Sequence, residues 1–204
     1  MKRFHITEES RKALLRQAPE FAEIMQKTEL NDFQCSENLF FALVQNIVSQ
    51  QLAVKAADAV FLRLQQLLGT VSAENILKQD MESLRRCGLS MRKAEYLKGI
   101  AEAGISGTID FDSLSEKTDQ EIIETLIQLK GVGVWTAEML LISALGRPDI
   151  LSYKDLGIRR GIMRLYQLEK LSETDFEYYR KRYTPYGTLA SLYLWKIKDG
   201  GLDE

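Results

Sequence analysis

Two features of this sequence could do chemistry together. One is a glycine turn, Leu129-Lys130-Gly131-Val132-Gly133-Val134-Trp135-Thr136-Ala137, and the other is an acid about one helix further on, Asp155. Gly131 and Gly133 suit a tight turn, because glycine alone takes positive φ without steric cost. A turn leading into a helix aims the amides of Gly131, Gly133 and Val134 at one place. That place is the positive end of the helix, where anions are favoured. With no Cβ at either glycine, a nucleic-acid phosphate can come within hydrogen-bonding reach. Lys130 adds charge before the turn, and Thr136 and Ala137 open the helix with small groups. Asp155 would then supply chemistry on the bound strand. Each feature also has a plainer reading. Gly-x-Gly between helices often only connects them, and Asp before a helix is often its N-cap.

The elements that must position these residues are helical. Thr118 to Leu129 carries Ile122, Ile123, Leu126, Ile127 and Leu129 at helical spacing, and Trp135 to Leu145 carries Ala137, Leu140, Leu141 and Ala144. Asp155 stands at the expected start of a helix over 156–166. Prolines are confined to Pro19, Pro148 and Pro185, and β-branched alternation is scarce, so the whole chain reads as helix. Thr7, Ser36, Ser72 and Ser172 each precede acids (Glu37 among them), which predicts four N-caps. The apolar period over 38–68 is too long for one ordinary helix and should break near Gln50 to Ala53. Gly69, Gly88, the 104–107 stretch and Gly146-Arg147-Pro148 mark loops, with Asp149 a turn residue.

At 204 residues the chain suits one globular unit or two small lobes. No apolar run approaches the roughly 20 residues needed to span a bilayer. Met1 to His5 is followed by polar residues rather than an apolar core, so no secretory signal is read there. Two cysteines, Cys35 and Cys87, without a Cys-x-x-Cys, predict a reduced, cytoplasmic setting. His5 is the sole histidine and reads as a surface residue. The net charge of −2 counts against generic nucleic-acid binding, but distribution matters more than the sum. Arg159, Arg160 and Arg164 follow Asp155, and Arg180, Lys181 and Arg182 cluster later. Acids concentrate over 110–124 and at Asp203-Glu204.

The Leu-x-Gly-Val-Gly-x-Trp-Thr-Ala run with Lys154-Asp155-Leu156-Gly157 resembles the helix-hairpin-helix DNA glycosylases of the endonuclease III superfamily. Within it the chain is most similar to the 3-methyladenine DNA glycosylase II branch. Three further segments agree. Asn46 to Leu52 with Lys55-Ala56-Ala57 resembles the segment that enters the duplex. Gly88 to Leu97 resembles the next helix start, and Pro185 to Trp195 the C-terminal helix. The likeness runs from about Glu37 to Lys198.

The resemblance implies an all-α, two-lobed fold with a DNA-binding cleft between the lobes. The central helical lobe would be residues 33–149, and residues 1–32 plus 150–204 would form the lobe carrying the catalytic acid. Many relatives have an extra N-terminal α/β domain, so the chain reads as a minimal form. The implied activity is that of a monofunctional DNA glycosylase of base excision repair. It would release alkylated purines, 3-methyladenine and 7-methylguanine, by base flipping. Asp155 matches the catalytic acid. Trp135 stands where lyase-active relatives carry a Schiff-base lysine, so no lyase activity is expected. Trp135, Trp195 and Tyr153 would line the base pocket, with Phe40 and Phe41 added by proximity. Gln50, Gln51 and Leu52 would enter the duplex, Gln51 at the wedge position. Lys130, Gly131, Gly133, Val134, Thr136, Arg159 and Arg160 would contact DNA. The main-chain carbonyls of Ile127, Leu129 and Val132 match a site for Na+ or K+, with no other cofactor required. The clustered cysteines that hold an iron–sulfur cluster in some relatives are absent. Gly187 replaces an arginine of many relatives, whose work Arg180 or Arg182 would have to do. The expected partner is double-stranded DNA with a damaged base, met by a monomer and without a membrane. The alternatives are a glycosylase for uracil or an oxidised or deaminated purine, and a non-catalytic binder of DNA shape.

Overall fold

A computed structural model describes residues 2–36 and 38–200. Glu37, read as a helix-start acid, and the Asp203-Glu204 pair lie outside the described residues. Twelve α-helices account for most of the structure described. One departure from the all-helical reading is a two-stranded antiparallel ladder, β1 (Arg3–Phe4) with β2 (Phe33–Gln34). The rings of Phe4 and Phe33 stack across it at 5.0 Å. The chain divides into two units, Met1–Cys35 with Gly146–Glu204, and Ser36–Leu145.

The central unit, 36–145, holds α3 to α9. Helix α3 (Leu39–Ser49) buries Leu43, Val44, Ile47 and Val48 completely. Its N-cap is Asn38, whose carboxamide oxygen accepts the Phe41 amide at 2.9 Å, not Ser36 as expected. Local pattern alone could not choose between two capping types separated by one residue. The long apolar period breaks where expected: α3 stops at Ser49 and α4 (Val54–Leu68) begins after the 50–53 turn. Helices α5 (Ala73–Lys78), α6 (Met81–Arg86) and α7 (Met91–Ile105) follow. α7 packs against α3, α5 and α6. Helix α8 (Asp119–Leu126) starts at a capping box between Thr118 and Glu121 and stops earlier than the predicted Leu129. Helix α9 (Val134–Ser143) begins one residue before the predicted start and ends two before the predicted end. Ile122, Leu126 and Leu141 are fully buried where α8 packs on α9.

The other unit holds α1 (Glu8–Gln17), α2 (Ala22–Lys27), α10 (Leu156–Leu165), α11 (Glu173–Tyr183) and α12 (Gly187–Lys198). Its core joins Leu14, Phe21, Ile24, Ile158, Ile162, Phe176, Tyr183, Tyr193 and Leu194. Helix α10 ends at Leu165, one residue short of expectation. α10 and α12 form its most extensive helix pair. Gly161 explains the closeness. A Cβ built there would lie 2.4 Å from the Leu194 carbonyl oxygen, so only glycine lets the two backbones approach this far. Within this unit Cys35 Sγ lies where a Gly146 Cβ would meet it at 2.8 Å. In the central unit the Ser36 amide donates to Ser143 O at 3.3 Å. No helix among the described residues is long and apolar enough to cross a membrane.

Candidate active site

In the central unit the hairpin between α8 and α9 is built on Gly131, which takes φ +88°. A Cβ at Gly131 would lie 2.2 Å from the Tyr96 ring, so an aromatic platform on α7 and the left-handed backbone both demand glycine. Gly133 departs from the expectation. Its φ is −101° in extended backbone, so it needs no glycine for its conformation. A Cβ at Gly133 would meet nothing within 4 Å, which leaves the outer side of the turn open to an approaching group. Gly133 is the N-cap of α9 with no side-chain cap bond. The start of α9 therefore carries the positive partial charge of a helix N-terminus without a side-chain cap over it. Lys130 is exposed beside them, and Val134 is 39% exposed.

Beside the hairpin, Asn46, Ser49, Gln50, Gln51, Leu52, Trp135 and Thr136 line a hollow of about 450 Å³. Trp135 is 40% exposed, a large aromatic surface left uncovered. Gln51 takes φ 58°, an uncommon conformation for a residue with a side chain. The Gln50 carboxamide points inward instead, donating to Gly131 O at 3.1 Å and to Thr136 Oγ1 at 3.5 Å. Lys93, which the residue patterns did not single out, donates through Nζ to Val48 O at 2.7 Å and Gln50 O at 2.6 Å. Burial pushes the Lys93 ammonium below the usual lysine range. Phe40 and Phe41 are absent from the hollow. Phe40 meets Phe111 and Phe41 meets Phe61, both edge-on, so each ring already has an aromatic partner outside the hollow.

In the other unit Asp155 is the N-cap of α10, its Oδ1 accepting the Ile158 amide at 2.8 Å. The capping reading is thus correct, and a second bond accompanies it. Trp195, on α12, donates its indole N–H to the same oxygen at 3.1 Å. Asp155 is only 8% exposed, so its carboxylate is both held and largely shielded. Gly157 permits the arrangement: a Cβ there would lie 3.0 Å from Asp155 Oδ1 and 3.0 Å from Trp195 Cδ1. Tyr153 turns an edge to Phe176, and the Arg159 guanidinium lies 5.0 Å from its ring centroid. One face of that ring is therefore already stacked with a cation. Arg160 and Lys154 are exposed.

The chain that carries these two features has matches among known proteins. Residues 44–185 fit the model of the HhH-GPD superfamily base excision DNA repair protein. The chain belongs to the HhH-GPD superfamily. Among its relatives, DNA-3-methyladenine glycosylase 1 of Schizosaccharomyces pombe is 41% identical over 159 residues, covering 76% of this chain and 70% of that protein. Two further relatives are matched over 58% and 60% of their own length. A crystal structure of DNA-3-methyladenine glycosidase from Bacillus halodurans superposes with TM-score 0.84 at 35% identity, covering 100% of this chain and 95% of that one. The S. pombe 3-methyladenine DNA glycosylase in complex with abasic DNA gives 0.74 at 35% identity, covering 93% and 91%.

Three other expectations for this HhH-GPD chain meet local structure. Gly187 has its own reason: its amide donates to Asp149 Oδ1 at 3.0 Å, and a Cβ would lie 2.7 Å from that oxygen. Any larger residue would collide with Asp149, which, contrary to the turn expected there, lies outside any turn and accepts the first amide of α12. Arg182 cannot stand in for the missing arginine, since it binds Glu20 at 2.9 Å, Gln17 O at 2.8 Å and Tyr166 Oη at 3.2 Å. Arg180 pairs with Glu177 at 3.1 Å. At the hairpin, Leu129 and Val132 bury their side chains while Ile127 is 41% exposed. The Leu129 carbonyl accepts the Val132 amide at 3.1 Å, which spends one of its lone pairs. Among the described residues no group of three His, Cys, Asp or Glu side chains could hold a metal. His5, read as a surface residue, is bonded through Nδ1 to Asp32 at 2.8 Å.

Proposed function

We propose that this chain is a monofunctional DNA glycosylase that hydrolyses the N-glycosidic bond of alkylated purines in double-stranded DNA, with 3-methyladenine and 7-methylguanine as substrates. The observation that carries the reading is the Asp155 carboxylate, shielded and fixed by the Ile158 and Trp195 N–H groups. The names of the relatives support the substrate class, and a neighbour crystallised with abasic DNA supports the partner.

As the C1′–N bond breaks, its electron pair leaves with the base and the sugar becomes oxocarbenium-like. The Asp155 carboxylate stabilises that charge and orients the attacking water, whose proton it accepts. A base alkylated at a ring nitrogen is already cationic. It leaves as a neutral molecule without strong protonation by the enzyme. The exposed face of Trp135 suits such a cation, and everting the base costs a few kcal/mol. Gln51 and Leu52 would fill the space it leaves. The amides at the start of α9, with Lys130, would hold a phosphate, and Arg159 and Arg160 would add contacts. The main-chain carbonyls of Ile127, Leu129 and Val132, uncharged oxygens only, would hold Na+ or K+, which when bound would add positive charge at the hairpin. The indole of Trp135 cannot form an imine, which supports hydrolysis without strand cleavage.

Substituting Asp155→Asn tests this directly. Asparagine caps helices as well as aspartate does, so α10 should stay folded while base release falls by about 100- to 10,000-fold. Binding to abasic DNA should persist. Near-normal release by the variant would remove Asp155 from the mechanism. Borohydride treatment during turnover should trap no lysine-linked adduct; a trapped adduct would mean lyase chemistry.

A further inference from the structure

The segment 50–53 is tied to two other parts of the central unit, helix α7 and the hairpin. Helix α3 ends with carbonyls that lack helical partners, and two nearby, those of Val48 and Gln50, receive the Lys93 ammonium at 2.7 and 2.6 Å. The Gln50 side chain then reaches Gly131 O at 3.1 Å, so the same residue ties the turn to the hairpin. Tyr96 stands three residues after Lys93 on α7, a spacing that shares one helix face. Its ring occupies the space a Gly131 Cβ would need. One face of α7 thus supports both the turn and the hairpin. Gln51, inside that turn, takes φ 58°, a backbone conformation uncommon for a residue with a side chain.

We propose that Lys93 and Gln50 are positioning residues for base eversion: they hold Gln51 at a fixed offset from the phosphate-binding hairpin, so that the wedge meets the duplex already in place. This rests on the glycosylase reading above. Neither residue touches the reacting atoms. Their loss should weaken the step that opens the base pair and spare the step that breaks the glycosidic bond.

Single-turnover release of an alkylated purine separates the two steps. One substrate pairs the lesion with its normal partner; the other sets it opposite an abasic position, where eversion is already cheap. Lys93→Met should slow release from the paired substrate by about 10-fold or more, yet change the unpaired substrate by less than about threefold. Lys93→Arg, which keeps N–H donors on a long cationic side chain, should recover most of the paired rate. Gln50→Leu should reproduce the split, and it serves where Lys93→Met fails to fold. Equal losses on both substrates, or no loss on either, would overturn the positioning role while leaving the glycosylase reading intact. No release by the wild-type protein from either substrate would overturn both.

Discussion

Gly157 and Gly161 stand four apart on α10, and each leaves room for something specific. Gly157 makes space for the indole of Trp195 beside Asp155, and Gly161 for the Leu194 backbone. A methyl group at 161 would press on a carbonyl oxygen, which cannot swing away as a side-chain tip can. Gly161→Ala should therefore cost about 1–3 kcal/mol and lower base release, by shifting Trp195 from Asp155. Gly99→Ala, inside α7 with nothing within 4 Å of the new methyl, should instead stabilise by roughly 0.5–1 kcal/mol. Chemical denaturation of both variants checks the contrast. Residue chemistry was legible in the sequence where it depended on neighbours in the chain. Gly131 and the cap at Asp155 are of that kind. The Trp195–Asp155 bond spans 40 residues and the Lys93–Gln50 bond 43, and no local pattern announces either. The glycine spacing on α10 was the available signal for helices in backbone contact, and only its first member entered the motif that was recognised.

Helix starts are local, and most were readable. Thr7, Ser72 and Ser172 cap as expected. Two starts, those of α8 and α11, are full capping boxes. Glu121 Oε2 accepts the Thr118 amide at 2.9 Å, and Asp175 Oδ2 accepts that of Ser172 at 3.2 Å. These bonds, led by the Thr118 and Ser172 side chains, hold both carboxyls below their ordinary range. A lowered folded pKa contributes stability that is complete above the unfolded carboxyl pKa of about 4 and is lost as pH falls through the folded value. Glu121→Ala and Asp175→Ala should lower the thermal midpoint near neutral pH, and the gap from wild type should close in acid. A gap that persists at low pH would mean the carboxyl charge is not what matters. Helix ends were less legible. The 127–133 turn spends residues that carry helical periodicity, because Leu129 and Val132 pack inward from irregular backbone. The Arg3–Phe4 ladder was invisible too, since two-residue strands have no period to read.

For the whole molecule, composition says little about partners and placement says more. On the glycosylase reading, a net charge of −2 would leave the phosphate grip to helix-end amides and a few basic side chains. With about three phosphates neutralised, affinity for abasic DNA should fall with salt at a log–log slope of about −3, roughly −0.9 per phosphate. Fluorescence anisotropy across a salt series measures this, and a slope near −10 would mean that basic side chains well beyond Lys130, Arg159 and Arg160 contact the phosphates. The two-unit division follows from chain order, which returns the C-terminal helices to the unit where the chain began. The polypeptide crosses between the units at two places, after Cys35 and after Leu145. Cys35 and Gly146 touch on one side of the crossing, and Ser36 and Ser143 share a hydrogen bond on the other. Residues 36–145 therefore behave as a cassette whose two loose ends already meet. Grafting a relative's equivalent stretch, or sealing this one with a short bridge, would involve almost no added loop-closure entropy.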